Sequence, residues 1–247
     1  MKTKIIPAVL FIHLLLAADA HAMHISEGLL PLGWAGIWFS VAAPFMAYGL
    51  FRLRSRAVGD LSFKPLVGLL TAVVFIISCM PIPVPTAGTC SHPAGTGISA
   101  VLLGPWISVL VATAALLIQA LFLAHGGLST LGANIVSMGI AGSFSGYLVF
   151  FGLRKLKVNI ITAGFLAGIF ADWGTYLATS AELALGIRGD SAFVPLFTKI
   201  TLAFIPTQLP LGIIEGAMTA GVIGLLSKKR PDILLKIGVL KAHEGKG

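Results

Sequence analysis

Met23 and His24 stand directly behind Ala20, His21 and Ala22, whose small residues at the −3 and −1 positions form a signal-peptidase site. Cleavage after Ala22 would make Met23 the N-terminus. A free α-amine, the backbone nitrogen of His24 and the His24 imidazole Nδ1 would then lie within two residues of one another. A metal held by the amine and the amide nitrogen closes a five-membered ring, and Nδ1 adds a six-membered one, both nearly free of strain. Such donors suit late first-row divalent metals such as Co, Ni and Cu. Deprotonating an amide is costly, so the arrangement selects ions that bind strongly enough to compensate. An uncleaved chain lacks this chemistry, because the Met23 nitrogen is then a peptide amide.

Three nitrogens from two residues leave a tetragonal site one donor short. The mature chain would hold four histidines, His24, His92, His125 and His243. His92 lies in "CSHPAGTG", within a segment, 81–97, that has no Lys or Arg, and a neutral imidazole in this Pro/Gly-rich turn is the candidate fourth ligand. His125, in "LAHGGLSTLGAN", is read as an interfacial histidine in preference to a residue supporting the ligands, and His243 falls in the basic tail. A histidine in a loop is more often solvated or capping. What raises these two is the combination of a free amine, His at mature position two, and a second His on the same side of the membrane.

The elements that must position these residues follow from composition. Of 247 residues, 57% are hydrophobic and 11% charged, against roughly 25% charged in a soluble domain. The chain is therefore an integral membrane protein. Its 17 Lys and Arg against 9 Asp and Glu cluster in short loops between apolar runs, which is the positive-inside pattern and excludes a nucleic-acid role.

Residues 1–22 read as a signal peptide, with Lys2 and Lys4 before an apolar core of about 13 residues, too short to span a bilayer. A retained anchor helix is the alternative. The remainder, 23–247, forms one transmembrane metal-binding domain.

Spans are expected at about 33–53 and 65–80. The break at Gly104-Pro105 then divides the next apolar stretch into a short half-helix, 95–103, and a returning helix, 106–123. Gly/Pro-interrupted segments of this kind line cavities in transporters. Further spans are expected at 131–152, 160–179 and 201–226, the last containing Pro206 and Pro210, with Glu182 to Asp190 in an external loop. The fold class is thus an all-α polytopic bundle of about seven transmembrane helices, one of them short and broken. Its N-terminus lies outside and its C-terminus in the cytoplasm.

Glu27 either orients His24 or sits favourably at the first helix's N-terminal side. Asp172, Glu215, Gln119 and Gln208 lie in or near apolar spans, so each needs a partner, functional or structural. Cys79 and Cys90 flank the external loop, where a disulfide is possible and thiolate ligation less favoured. The pairs Gly142/Gly146, Gly164/Gly168 and Gly212/Gly216 each allow close helix approach, read first as internal packing and second as a docking face. No P-loop, CxxC or HExxH is present, and "GSFSG" has the wrong spacing for a hydrolase elbow.

At "MHISEGLLP" (23–31), "CSHPAGTG" (90–97), "GPW" (104–106) and "LAHGGLSTLGAN" (123–134) the sequence resembles the cobalt-transport CbiM family, along nearly all of the mature chain. That family supplies the substrate-capture membrane component of energy-coupling-factor type ABC importers. The resemblance implies Co²⁺ as transported substrate, with Ni²⁺ the alternative, no organic cofactor, and a supply role in cobalamin biosynthesis. It implies ligation by Met23, His24 and His92. It also implies three partners in a bacterial inner membrane: a small two-span membrane subunit, a transmembrane coupling protein and a cytosolic ATPase. Readings from other classes are an intramembrane enzyme, in which the buried carboxylates would be essential, and a structural scaffold.

Overall fold

The computed structural model describes residues 21–22, 24–60, 62–80, 82–84 and 89–240, and of residues 21–22, 82–84 and 89–90 the backbone alone. The expected signal peptide therefore lies almost wholly outside the described residues, as do Met23 and the basic tail with His243.

The described chain is a helical bundle. Its helices are α1 (Leu32–Gly59), α2 (Phe63–Ser78), α3 (Thr96–Leu103), α4 (Pro105–Phe122), α5 (Leu131–Lys155), α6 (Ile160–Ile187), α7 (Phe193–Lys229) and the short α8 (Pro231–Lys236). Within α5, residues Ile135–Gly142 form a π-helix. A small ribbon sits beside the bundle: β1 (His21–Ala22) pairs parallel with β3 (Thr89–Ser91), which pairs antiparallel with β2 (Ile82–Val84).

Five helices, α1 and α4 to α7, are long and apolar enough to cross a membrane. With 16 residues α2 is about 24 Å long, short of a 30 Å hydrocarbon layer. Large apolar side chains such as Phe51, Leu69, Phe122, Leu148 and Leu177 are exposed on the outer faces. That is the expected pattern where the solvent is lipid and hydrophobicity does not drive helices together.

The half-helix is present where the Gly-Pro break places it. Gly104, at φ +84 and ψ 159, takes a conformation open to residues without a Cβ. It ends α3 and starts α4, with Pro105 in the first turn, where its missing N–H is no loss. All eight residues of α3 are buried, so α3 is enclosed by protein rather than lipid. A chain of hydroxyls ties it in: Ser99 lies 2.6 Å from Ser108 on α4, which accepts from Ser143 on α5 at 2.7 Å. This gives "GSFSG" its packing role.

Most of the described basic residues collect at one end, with Arg188 and Lys199 towards the other. Arg56 donates to the carbonyl of Leu103, the last residue of α3, and Lys236 pairs with Asp60 at 2.7 Å. The glycine pairs serve internal packing. Gly168 faces the Glu215 carbonyl and Gly216 the Phe165 carbonyl at distances that leave no room for a methyl group, and Gly146 packs tightly on Ala171.

Two boundaries differ from expectation. Helix α6 continues to Ile187, so Glu182 is a buried helical residue, 1% exposed, and not part of an external loop. Helix α7 begins at Phe193 and carries Lys199 on an exposed face, where a lysine stem can run along apolar surface while its ammonium reaches water. The expected spans stop short of Glu182 at one end and of Lys199 at the other. Pro206 and Pro210 lie within this single helix.

Candidate metal centre

Three imidazoles converge at the end of the bundle opposite Arg56 and Asp60. His24, His92 and His125 each offer a ring nitrogen, all within 4.8 Å of one another. The His24 and His92 ring centroids lie 4.7 Å apart at 71°. Both rings are buried, His24 at 2% and His92 at 0% exposure, and His125 is half-buried.

Each imidazole is positioned by a different element. Ile25 is clamped by α5 and the loop before it. Asn134 Oδ1 accepts the Ile25 N–H at 2.8 Å, while Asn134 Nδ2 and the Thr130 hydroxyl both donate to the Ile25 carbonyl. Asn134 thus imitates a strand partner for the residue that follows His24. It sits on the last turn before the π-helix, a deviation that often occurs at functional sites.

Gly126, at φ +79, lies against His24: a Cβ there would be 3.2 Å from the His24 Cβ. Ala124, at φ +49, holds a left-handed conformation that costs a residue with a Cβ about 1–2 kcal/mol, and this turn carries the chain from α4 to His125. His92 is fixed by α6, with its carbonyl accepting from the Tyr176 hydroxyl at 3.1 Å. The preceding Ser91 accepts from Gln208 Nε2 on α7 at 2.8 Å.

The hydrogen bonds select tautomers. Gln119 Nε2 donates to Ser78 Oγ at 2.6 Å, so its Oε1 faces His24 Nε2 at 2.9 Å. An amide oxygen only accepts, so His24 carries its proton on Nε2 and leaves the Nδ1 lone pair free. His92 Nδ1 lies 3.0 Å from the Pro93 carbonyl, also acceptor-only. Its proton is therefore on Nδ1 and its lone pair on Nε2. That lone pair meets His125 Nε2 at 3.1 Å, so His125 is the donor there.

Burial also keeps the rings neutral. It is the main reason that His24 stays well below the usual histidine range and that His92 is pulled down to about 3, with the neighbouring imidazoles adding to the effect. His125 is lowered by burial alone. Neutral imidazoles hold metals without first losing a proton.

The structure brings His24 and His92 together and adds His125, which is in the cluster and not a separate interfacial residue. Met23 lies outside the described residues. Glu27 directs its carboxylate to Ser129 and not to His24: it accepts from the Ser129 backbone at 3.0 Å, which lowers its pKa. Cys79 is in no disulfide, and its sulfur lies 3.5 Å from Gln119 Nε2; the Cys90 side chain lies outside the described residues. Asn134 and Thr130 were not expected. A polar "ST…N" run just ahead of an apolar span is the trace they leave in the sequence.

A family model, CbiM, described as a cobalt uptake substrate-specific transmembrane region, matches residues 24–233. The chain belongs to this family. A cobalt transport protein CbiM of Geobacter sulfurreducens is 67% identical over 229 residues, 93% of this chain and 66% of that one. Another, of Sorangium cellulosum, is 57% identical over 223 residues, 90% of this chain and 99% of that one. The chain thus spans about two thirds of the first relative and nearly all of the second. A crystal structure of a truncated transition metal transporter superposes with a TM-score of 0.73 at 25% identity, covering 83% of this chain and 98% of that one. The chain is accordingly a multi-pass membrane component of a metal transporter.

Proposed function

We propose that the chain captures Co²⁺ for import, at a site made of the Met23 amine, the His24 amide nitrogen and Nδ1, and His92 Nε2. Removal of residues 1–22 creates the amine. The observation that carries this reading is the pair of tautomers. Gln119 leaves His24 with its lone pair on Nδ1, the ring nitrogen that closes a six-membered chelate with its own backbone nitrogen. Pro93 leaves His92 with its lone pair on Nε2, facing the same cluster. Partners that orient a ligating imidazole in this way commonly govern metal affinity.

The histidine end faces the outside of a bacterial inner membrane and the arginine end the cytoplasm, in accord with the positive-inside rule. The relatives named for cobalt transport support Co²⁺ as the substrate. ATP hydrolysis falls to a separate cytosolic subunit, since the chain has no P-loop. A transmembrane coupling protein and a small two-span subunit complete the importer, and cobalamin biosynthesis consumes the metal. Nickel is the second reading, because four nitrogens in a plane suit Ni²⁺ equally well.

Three purified samples test the site: the processed chain, the chain with one extra residue before Met23, and His92→Ala. Tight Co²⁺ binding is expected in the first alone. Calorimetry in buffers of different ionisation enthalpy should show about two protons released per ion, one from the amine and one from the amide, because the imidazoles are already neutral. Equal affinity with and without the extra residue would refute the N-terminal chelate. Metal analysis of protein from cells given both ions should find cobalt in excess of nickel.

A further inference from the structure

Inward of His92 the structure places two carboxylates that the histidine cluster does not use. Tyr176, whose hydroxyl holds the His92 carbonyl, is one turn of α6 away from Asp172, about 6 Å along the helix. Glu215 comes from α7. Its Oε2 accepts the Ala94 N–H at 2.7 Å and its Oε1 accepts the Gly97 N–H at 3.3 Å, so it caps the buried half-helix α3. The partial positive charge of that helix end offsets one carboxylate.

Asp172 is a different case. It is 0% exposed, it approaches the same Ala94 amide and interacts electrostatically with Glu215 and Tyr176, yet neither of its oxygens has a hydrogen-bond partner among the described residues. Among the described residues neither carboxylate is in an ion pair, whereas Arg230 pairs with Asp232 and Lys236 with Asp60. One turn further inward on α7 the Thr219 hydroxyl is also buried and unpaired. It lies where a methyl group on Gly97 would be 3.2 Å from it. A fixed carboxylate with both oxygens unpaired in the middle of a membrane bundle is costly unless a cation or a proton meets it.

We propose that Asp172 and Glu215 form a second cation site, one layer inward of the histidines, that takes a divalent cation through oxygen ligands alone. Two carboxylates supply two negative charges, and each has a hydroxyl residue one helical turn away, Tyr176 after Asp172 on α6 and Thr219 after Glu215 on α7. Oxygen donors of this kind suit Mg²⁺ and Mn²⁺ and hold late transition metals less firmly than nitrogen does. Its place on an inward route rests on reading the histidine end as the entry; its capacity to bind does not.

The test is Mn²⁺ binding to the full chain in detergent, followed by loss of the free-ion electron paramagnetic resonance signal. A His24→Ala/His92→Ala double variant should still bind one Mn²⁺. Asp172→Asn should bind it at least about tenfold more weakly, while Co²⁺ capture at its intact histidines reports a folded protein. Glu215→Gln, which keeps one acceptor oxygen for the Ala94 amide and gives up the contact to the Gly97 amide, should weaken Mn²⁺ in the same way and stands in if Asp172→Asn does not fold. Absence of Mn²⁺ binding in the unsubstituted chain, or undiminished binding in both carboxylate variants, overturns the proposal. Loss of Co²⁺ capture in the unsubstituted chain would instead remove the reading of the histidine end.

Discussion

Nε2 of His24 lies 2.9 Å from Oε1 of Gln119, a residue 95 positions away on the buried face of α4. The contact is directional because Ser78 holds the other end of the same amide. Replacing Gln119 by Leu frees the His24 ring to take either tautomer and to rotate. Loss of such supporting partners typically lowers metal affinity 10–100-fold. Equilibrium dialysis of Gln119→Leu with Co²⁺ should show a loss in that range at unchanged membrane abundance. Affinity equal to that of the unsubstituted chain would remove Gln119 from the site.

Asn134 secures both backbone groups of Ile25. Asn134→Leu has similar volume but leaves the Ile25 N–H unsatisfied in a buried place and its carbonyl dependent on Thr130 alone. Each unsatisfied buried group costs about 1–3 kcal/mol. The expected result is a lower thermal midpoint and a faster Co²⁺ off-rate in stopped-flow chelator chase. An unchanged off-rate would mean that the segment after His24 is held by other contacts.

Much of this architecture is legible in the sequence because lipid imposes strong rules. Apolar runs mark the helices, loop arginines and lysines mark one end, and Gly104-Pro105 marks the re-entrant break. Legibility failed where a charge is tolerated for local reasons, as with Glu182 inside α6 and Lys199 at the start of α7. The π-helix at Ile135–Gly142 leaves no compositional trace, since it differs from an α-helix by a shift in hydrogen bonding. His24 and His92 stood out by position in the chain. His125 did not, because the glycines that follow it announce a turn without saying where the left-handed residues Ala124 and Gly126 aim the ring. Gln119 was visible as a polar residue needing a partner, and only the packing of α4 against the N-terminal segment supplies it.

The depressed histidine pKa values make folding pH-dependent in a defined direction. His24 and His92 remain neutral in the folded chain below the ordinary value of 6.5, His92 down to about 3. The unfolded chain takes up those protons at about 6.5. Stability is therefore fully present above pH 6.5 and is lost as pH falls, by about 1.4 kcal/mol per pH unit for each ring well below that point. The thermal midpoint of metal-free protein should drop between pH 7 and pH 5, and His92→Gln should show a shallower drop. A midpoint that does not change over this interval would contradict neutral, buried rings.

His125 shares the cluster, and its role is set by which nitrogen carries its proton. The Pro93 carbonyl fixes the His92 proton on Nδ1, so the 3.1 Å contact between the two Nε2 atoms has His125 as donor. An ion taking the His92 lone pair must break that bond. In the proposed site His125 therefore guards the His92 lone pair and is not one of the donors. A hydrogen bond of this kind contributes about 0.5–1.5 kcal/mol, so His125→Ala should bind Co²⁺ as tightly as the unsubstituted chain or up to about tenfold more tightly, with faster association. His92→Ala in the same assay should lose tight binding. If His125→Ala instead weakens binding by more than about tenfold, His125 is a ligand, and the donor set must be redrawn around three imidazoles.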